Sequence, residues 1–199
     1  MRVKSETRRK AIIQGAADVF LEKGYAPTVM AEIASRVGVS KPTLYGYFPS
    51  KEELFLEVIK TLVAERLSSA FEPLIEGQEL SEILQTFGQQ FLTNVLKPEI
   101  VTLRGILMTE AQRTGIGPRL YKEGPGQEVD KLAFFLAKEM LAGRLRPGKP
   151  ETAAAHLLGM LEGEYQDFLL GATDTQPTAE QIAQSVDDAV AIFLRGYAP

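Results

Sequence analysis

Cysteine is absent from this 199-residue chain, and histidine occurs only once. The lack of cysteine excludes disulfide bonds and thiolate metal sites, and it favours a reducing, cytoplasmic compartment. Uninterrupted apolar runs are only a few residues long, so the sequence predicts no transmembrane helix and no signal peptide.

Motifs of common enzyme classes are also missing. The chain contains no glycine-rich phosphate loop, no HExxH and no GxSxG. Glu162 and Glu164 lie two apart on an expected helix and therefore point away from each other. The sequence thus predicts no enzyme activity, no metal site and no cofactor.

The charge of the chain is unevenly distributed. The formal net charge is -4, yet residues 1–60 hold ten lysines and arginines against seven aspartates and glutamates. The N-terminal part is therefore basic and the remainder acidic. This asymmetry suits a protein in which only one domain meets phosphate, although chance alone can produce it.

Apolar residues recur at helical spacing, and no useful stretch alternates as a strand would. The sequence therefore predicts an all-α protein of two domains, residues 1–55 and 56–199. A capping pattern at Ser50 to Glu53 opens a long helix that runs to about Phe71 and is shared by both domains. Other long helices are expected at residues 6–24, 79–96, 98–114, 127–143, 150–171 and 178–196.

Two short helices flank Gly38 and form a helix-turn-helix. Thr28 is the expected N-cap of the first helix, and Gly38 ends it because glycine readily adopts the left-handed conformation. Ser40 caps the second helix. Because Pro42 has no N–H, the Ser40 hydroxyl is expected to accept its hydrogen bond from the N–H of Thr43.

The outer face of the second short helix carries side chains suited to DNA. Leu44 and Phe48 share one side and must face the core. Threonine can bond a base edge, and tyrosine hydroxyls reach phosphates. A phosphate would also suit Lys51, whose charge opposes the helix dipole in the next helix. The outward and flanking residues are Lys41, Pro42, Thr43, Tyr45, Gly46 and Tyr47.

An ordinary surface helix pair is the alternative, but the turn glycine, the caps and the outer face agree with one another. Together these residues resemble the DNA-binding signature of the TetR family over roughly residues 8–58. The matching blocks are TVMAEIA at 28–34, VGVSKPTLY at 37–45, YF at 47–48 and KEEL at 51–54.

The resemblance implies a three-helix DNA-binding domain, a homodimer and a larger helical domain for ligand binding and dimerisation. It assigns Thr28 to a phosphate-binding helix start, and it places Tyr47 and Lys51 at phosphate-binding positions. Gly46 departs from the bulkier residue often found there. The base-proximal residues that it implies, beside the capping Ser40, are Lys41, Pro42, Thr43 and Tyr45.

A basic run precedes the first helix and extends into it. It can act as a DNA-binding arm or simply as a solvated helix start. The run consists of Arg2, Lys4, Arg8, Arg9 and Lys10.

Residues 98–196 are similar to the AefR-like C-terminal domain of some TetR regulators. The similarity lies at Pro98-Glu99, Leu103-Arg104, Thr109-Glu110-Ala111, Gly124-Pro125, Gly143-Arg144-Leu145 and Phe193-Leu194-Arg195-Gly196-Tyr197. Many large apolar residues leave room here for a cavity that takes a small apolar or aromatic effector, although such residues more often pack a core. The candidate ligand-binding residues are Phe87, Phe91, Met108, Glu110, Tyr121, Phe134, Met160 and Tyr165.

The last two long helices are the expected dimer interface, because two helices from each subunit can form a four-helix bundle. Small residues, Ala155 and Gly159, would permit close approach. The alternative is that the apolar stripe of the last helix faces its own core. That stripe consists of Ile182, Val186, Val190 and Phe193.

The sequence therefore predicts a repressor that a small molecule releases from operator DNA. A transcriptional activator of the same fold is one alternative, and a helical enzyme or binding protein is another. The effector, the operator and the regulated genes lie outside what these residues encode.

Overall fold

In the part of the chain that the structure describes, all regular secondary structure is helical, as predicted. The computed structural model describes residues 5–66, 68–74 and 79–199, and these ranges hold twelve helices and no strand. The helices are α1 (Glu6–Lys23), α2 (Met30–Val37), α3 (Lys41–Tyr47), α4 (Lys51–Arg66), α5 (Ser68–Phe71), α6 (Leu80–Val95), α7 (Pro98–Thr114), α8 (Gly117–Glu123), α9 (Pro125–Leu141), α10 (Pro150–Gly163), α11 (Gln166–Leu169) and α12 (Ala179–Gly196).

Most predicted boundaries fall within a few residues of these bounds, but α8 was not predicted. This helix begins at Gly117 and has Pro118 in its first turn. Proline is well tolerated in a first helical turn, because the N–H that it lacks would have no partner there. The predicted helix 150–171 is also divided, since α10 ends at Gly163 and α11 follows it.

The chain forms two compact units. The first unit comprises Met1–Val63 with Thr102–Gly124, and the second comprises Ala64–Val101 with Pro125–Pro199. This division differs from the predicted boundary after residue 55, because part of α7 and all of α8 join the helix-turn-helix. The chain passes between the units three times, within α4, within α7 and between α8 and α9.

Aromatic packing and a close helix contact hold the first unit together. The ring centroids of Phe20 and Phe55 are 5.1 Å apart, and those of Tyr25 and Phe55 are 4.7 Å apart. At Gly15 of α1, an added Cβ would lie 2.5 Å from the Cγ2 atom of Val37 in α2. Glycine at this position therefore allows α2 to pack directly against α1.

The core of the second unit is built on α6, α9, α10 and α12. Phe71, Phe87 and Phe91 form an aromatic cluster in it. Gly88 of α6 lies beside that cluster, where an added Cβ would come within 2.8 Å of Val186 in α12 and 3.0 Å of Leu161 in α10. Three helices thus meet at a position that has no room for a side chain.

The apolar stripe of α12 faces this core, so its prediction as a dimer interface is wrong. The exposed fractions of Ile182, Val186, Val190 and Phe193 are 8%, 0%, 2% and 0%. The stripe packs against α6 and α10 of its own unit. Ala155 and Gly159, on α10, are exposed, so this part of the predicted interface remains available to a partner.

Within the described ranges, no helix combines the length and the apolar character that crossing a bilayer demands. The same ranges contain no group of three or more histidine, aspartate or glutamate side chains arranged to hold a metal ion.

Candidate nucleic-acid interface

The turn of the helix-turn-helix is formed as predicted. Gly38 ends α2 in the left-handed conformation with φ 71°, and the N–H of Val39 donates to the carbonyl of Ala34 at 2.9 Å. Glycine suits this position because it has no Cβ to clash at positive φ. The turn thereby fixes the direction in which α3 leaves α2.

The predicted N-cap of α3 is confirmed. The Ser40 hydroxyl accepts a hydrogen bond from the N–H of Thr43 at 3.2 Å, and the two hydroxyl oxygens are 2.8 Å apart. A serine cap of this kind stabilises a helix by about 1 kcal/mol. Because α3 is only seven residues long, this cap is a large part of its local stability.

α3 has one buried side and one open side. Leu44 is fully buried and Phe48, directly after the helix, is 3% exposed. Lys41, Pro42 and Tyr45 are exposed, and half of the Tyr45 side chain faces solvent. The anchor and the open face therefore lie where the helical period places them.

Thr28 has a different role from the one that the sequence suggested. α2 begins at Met30 and its N-cap is Val29, so the prediction of Thr28 as the cap is wrong. The Thr28 side chain is fully buried, and its hydroxyl donates to the carbonyl of Gly24 at 2.7 Å. The hydroxyl therefore stabilises the loop between α1 and α2.

Lys51 forms hydrogen bonds to the same loop. Its ammonium donates to the carbonyls of Tyr25, Ala26 and Thr28 at 2.8, 3.2 and 2.9 Å, and it lies 4.2 Å from the centre of the Tyr25 ring. The conflict with the helix dipole is thus resolved by three carbonyls, and no phosphate is needed. The pKa of the Lys51 ammonium is lowered from its ordinary value. Burial is the main cause, and the carboxylate of Glu110 opposes it in part.

The start of α1 contacts the end of α3. The N–H of Ser5 donates to the Tyr47 hydroxyl at 3.0 Å. Arg9 forms an ion pair with Glu57 and lies 5.3 Å from the centre of the Phe48 ring. Arg9 therefore has a structural role, while Arg8 and Lys10 stay exposed. Arg2 and Lys4 of the predicted arm lie outside the described residues.

An ion-pair network that the sequence did not reveal joins α8 to α4. Arg119 donates to both carboxylate oxygens of Glu53, at 2.6 and 3.1 Å, and to Glu123 at 2.9 Å. Lys60 lies 3.6 Å from Glu123. The hydrogen bond from Arg119 lowers the pKa of Glu53. The N–H of Glu53 is capped by Ser50 at 3.1 Å, but the Glu53 carboxylate pairs with α8.

Three predicted ligand-binding residues belong to the first unit. Met108 and Tyr121 are 55% and 56% exposed, so they do not line a closed cavity within that unit. Glu110 is 5% exposed, and its carboxylate accepts hydrogen bonds from Arg113 at 2.9 and 2.7 Å.

The other five predicted ligand-binding residues belong to the second unit. Phe87, Phe91 and Tyr165 are buried in its core. Phe134 and Met160 are 64% and 36% exposed. The second unit therefore does not bring these five side chains together around one cavity, because helical spacing alone does not reveal which face is covered.

Replacing Lys51 with methionine is expected to destabilise the protein by about 1–3 kcal/mol, because three carbonyls, two of them partly buried, lose a charged donor. Urea unfolding of Lys51→Met measures the change in the free energy of unfolding. Lys10→Met is the control, because it removes an exposed lysine of α1. The salt dependence of DNA binding should keep its slope. Unchanged stability together with a slope smaller by about one would instead make Lys51 a phosphate ligand.

Comparison with known proteins agrees with this geometry. Residues 12–58 match the family described as bacterial regulatory proteins, tetR family. Residues 82–199 match the family described as AefR-like transcriptional repressor, C-terminal domain. The chain belongs to the TetR family. The predicted resemblance is therefore confirmed for both halves of the protein.

Individual relatives match almost the whole length of the chain. The HTH-type transcriptional regulator YdgC of Bacillus subtilis strain 168 is 30% identical over 198 residues, with 92% of each chain covered. The crystal structure of a TetR-family regulator from Mesorhizobium loti matches with a TM-score of 0.87, 27% identity and full coverage of both chains. The flavonoid-responsive regulator FrrA matches with a TM-score of 0.78 and 34% identity, over 98% of this chain and 99% of that one. This TetR-family chain is thus a DNA-binding transcriptional regulator.

Proposed function

We propose that this TetR-family regulator is a cytoplasmic, homodimeric repressor that leaves its operator when a small molecule binds its C-terminal domain. The observation that carries the proposal is the open face of α3, where Lys41 and Tyr45 project from a helix that is capped by Ser40 and anchored by Leu44.

The recognition helix of the proposal is α3. Lys41, Pro42, Thr43 and Tyr45 meet the bases or phosphates of the major groove, and Tyr47 lies at its edge. A symmetric dimer presents two such helices about 34–36 Å apart, which is one turn of the duplex. The operator is then a palindrome with two half-sites.

The dimer of the proposal uses the exposed face of α10, where Ala155 and Gly159 let a partner helix approach closely. Met160, on the same face, and Ile192 of α12, which is 56% exposed, supply apolar contact. The buried stripe of α12 supports this face from behind. Exposed apolar and small side chains on neighbouring helices favour association with a partner subunit, because contact removes the apolar groups from water.

Effector binding is proposed to act through α4 and α7, because each of these helices continues from one compact unit into the other. The Arg119 and Glu53 pair links α8 to the first turn of α4, directly after α3. A ligand that shifts α7 or α8 would thus move the recognition helix. Coupling between the two sites is reciprocal and typically amounts to about 1–3 kcal/mol.

An apolar or aromatic effector is favoured by the composition of the C-terminal half. FrrA, which is 34% identical, is named for its response to flavonoids. An activator of the same fold is the second candidate for the direction of control. An enzyme is not favoured, since within the described ranges no cluster of potential metal ligands is present and the chain lacks the motifs named above.

Selection of genomic DNA by the purified protein tests the proposal. A repressor should retain fragments that share one palindromic sequence, and light scattering should show a dimer bound to each fragment. Deleting the gene should raise the transcription of the neighbouring genes. A fall in transcription would make the protein an activator, and retention without any shared sequence would contradict a sequence-specific regulator.

Gly46→Ala separates the stability of α3 from its contact with DNA. An added Cβ at Gly46 meets nothing within 4 Å, so alanine should raise stability by up to about 1 kcal/mol. If the backbone approaches DNA here, affinity for the selected fragment should fall at least about tenfold, the size of one lost base contact. Thermal unfolding and a gel-shift titration give the two values. Equal DNA affinity would place Gly46 away from the duplex.

A further inference from the structure

A pocket of about 440 Å³ lies in the second unit, where the end of α10, the short α11 and the start of α12 meet. Its volume is within the range of roughly 300–1,000 Å³ that is common for small-molecule sites. Tyr165, Phe168 and Pro177 belong to its lining, and the rings of Tyr165 and Phe168 are largely buried. None of the residues predicted above as ligand contacts lines it except Tyr165.

The charged residues that line the pocket are all acidic. Glu164 and Asp167 line it, and no lysine, arginine or histidine does. Both carboxylates are exposed, and neither forms an ion pair with a side chain of the described residues. The remaining polar groups are hydroxyls and amides. A ligand with a positive charge would meet two acceptors of opposite charge and no repelling group.

A buried hydroxyl at the wall of the pocket lacks a partner. Ser185 of α12 is 4% exposed, and its Oγ atom forms no hydrogen bond within the described residues. A serine inside a helix often bonds the carbonyl four residues earlier. Here that carbonyl, of Gln181, already accepts the Tyr165 hydroxyl at 3.2 Å. Leaving a buried hydroxyl unpaired is unfavourable. The Oγ atom is shielded from solvent in the unliganded structure, so a ligand group can become its partner only if the side chains around it move slightly.

We propose that this pocket binds a small organic amine, with its ammonium between Glu164 and Asp167, its apolar stem against Tyr165 and Phe168, and a polar end group at the Ser185 hydroxyl. Aromatic rings beside carboxylates are a common setting for organic cations. The proposal goes beyond the proposed function, because it concerns binding that holds whether or not DNA is released.

Isothermal titration of the full-length protein with tyramine and with phloretic acid tests the charge of the ligand. The two compounds share a phenol and a short stem, but one ends in an ammonium and the other in a carboxylate. Tyramine should bind with a dissociation constant in the micromolar to millimolar range, and phloretic acid should not. Equal binding of both, or binding of neither, would overturn the proposal.

Variants locate the site. Glu164→Gln and Asp167→Asn should each weaken tyramine binding by about tenfold, since each removes one charged partner. Glu180→Gln is the matched control, because Glu180 is an exposed carboxylate in the first turn of α12 that does not line the pocket. Equal weakening by the control would indicate a general charge effect and contradict the assignment.

Ser185→Ala gives a second readout. Without ligand, the variant should unfold at a higher temperature, because an unpaired buried hydroxyl is removed, while tyramine binding should weaken about threefold to tenfold. A lower unfolding temperature would show that the hydroxyl has a partner inside the protein, and the proposal would fail. Gel-shift titration with and without tyramine then measures separately whether the bound amine changes operator affinity.

Discussion

Removing Lys41 and Tyr45 together is expected to lower affinity for the selected operator at least about 30-fold, because two contacts of the exposed α3 face are lost at roughly 1–3 kcal/mol each. The stability of the protein should change by less than about 0.5 kcal/mol, since both side chains are exposed and hold no element of the fold. Fluorescence anisotropy with a labelled operator and urea unfolding measure the two quantities.

These two positions report on DNA binding more cleanly than their neighbours. The hydroxyls of Ser40 and Thr43 interact with each other, and the Ser40 hydroxyl caps α3, so changes there would alter the helix as well as its contacts. Pro42 sets the backbone of the first turn.

The two single variants separate a charged contact with DNA from an uncharged one. Lys41→Ala should also reduce the slope of log affinity against log salt by about one, as expected for one released counterion. Tyr45→Ala should keep the slope. Lys122→Ala is the control, because it removes an exposed lysine of α8 in the same unit. If the double variant binds its operator as tightly as the unchanged protein, α3 is not the recognition helix.

Placing leucine at Gly88 is expected to destabilise the protein by about 3 kcal/mol or more, since the side chain must enter a site that is already filled. Even the first added carbon would lie 2.8 Å from Val186 and 3.0 Å from Leu161. For a chain of this length, such a loss lowers the midpoint of thermal unfolding by roughly 6–12 °C. Differential scanning calorimetry gives the value.

A control variant and a compensating variant test whether the clash at residue 88 causes this loss of stability. Gly105→Leu introduces the same side chain in α7 at a position where an added Cβ meets nothing within 4 Å, so stability should be retained or rise by up to about 1 kcal/mol. Val186→Ala in the Gly88→Leu protein should restore part of the lost stability, because it removes one clashing side chain. Equal losses at Gly88 and Gly105, or no rescue, would mean that the three-helix contact does not limit the size of residue 88.

The recognition helix was predictable in detail because its chemistry is local. The serine cap, the missing N–H of Pro42 and the left-handed glycine at residue 38 each depend on residues within a few positions of one another. The same locality explains why the periodicity gave nearly correct bounds for α6, α7 and α12. The short α8 was missed because a glycine and a proline mark a helix start as readily as a loop.

The roles of Thr28 and Lys51 were not predictable from the sequence. Their positions in the motif suggested phosphate contacts, but their partners are carbonyls of the loop between α1 and α2, up to 26 residues away in sequence. The pair of Arg119 and Glu53 spans 66 residues and was equally hidden. Only the packing of the helices determines which distant backbone or side-chain group meets a given charge.

By itself, the sequence determined that the chain is helical, that a helix-turn-helix lies near its start and that the protein belongs to a family of DNA-binding regulators. The tertiary structure alone decided which side of each helix is covered. It turned the apolar stripe of α12 into core, left the α10 face open and brought Glu164, Asp167 and Ser185 around one pocket. The physical reason is that hydrophobic burial is non-directional, so an apolar face specifies that it must be covered but not by which neighbour.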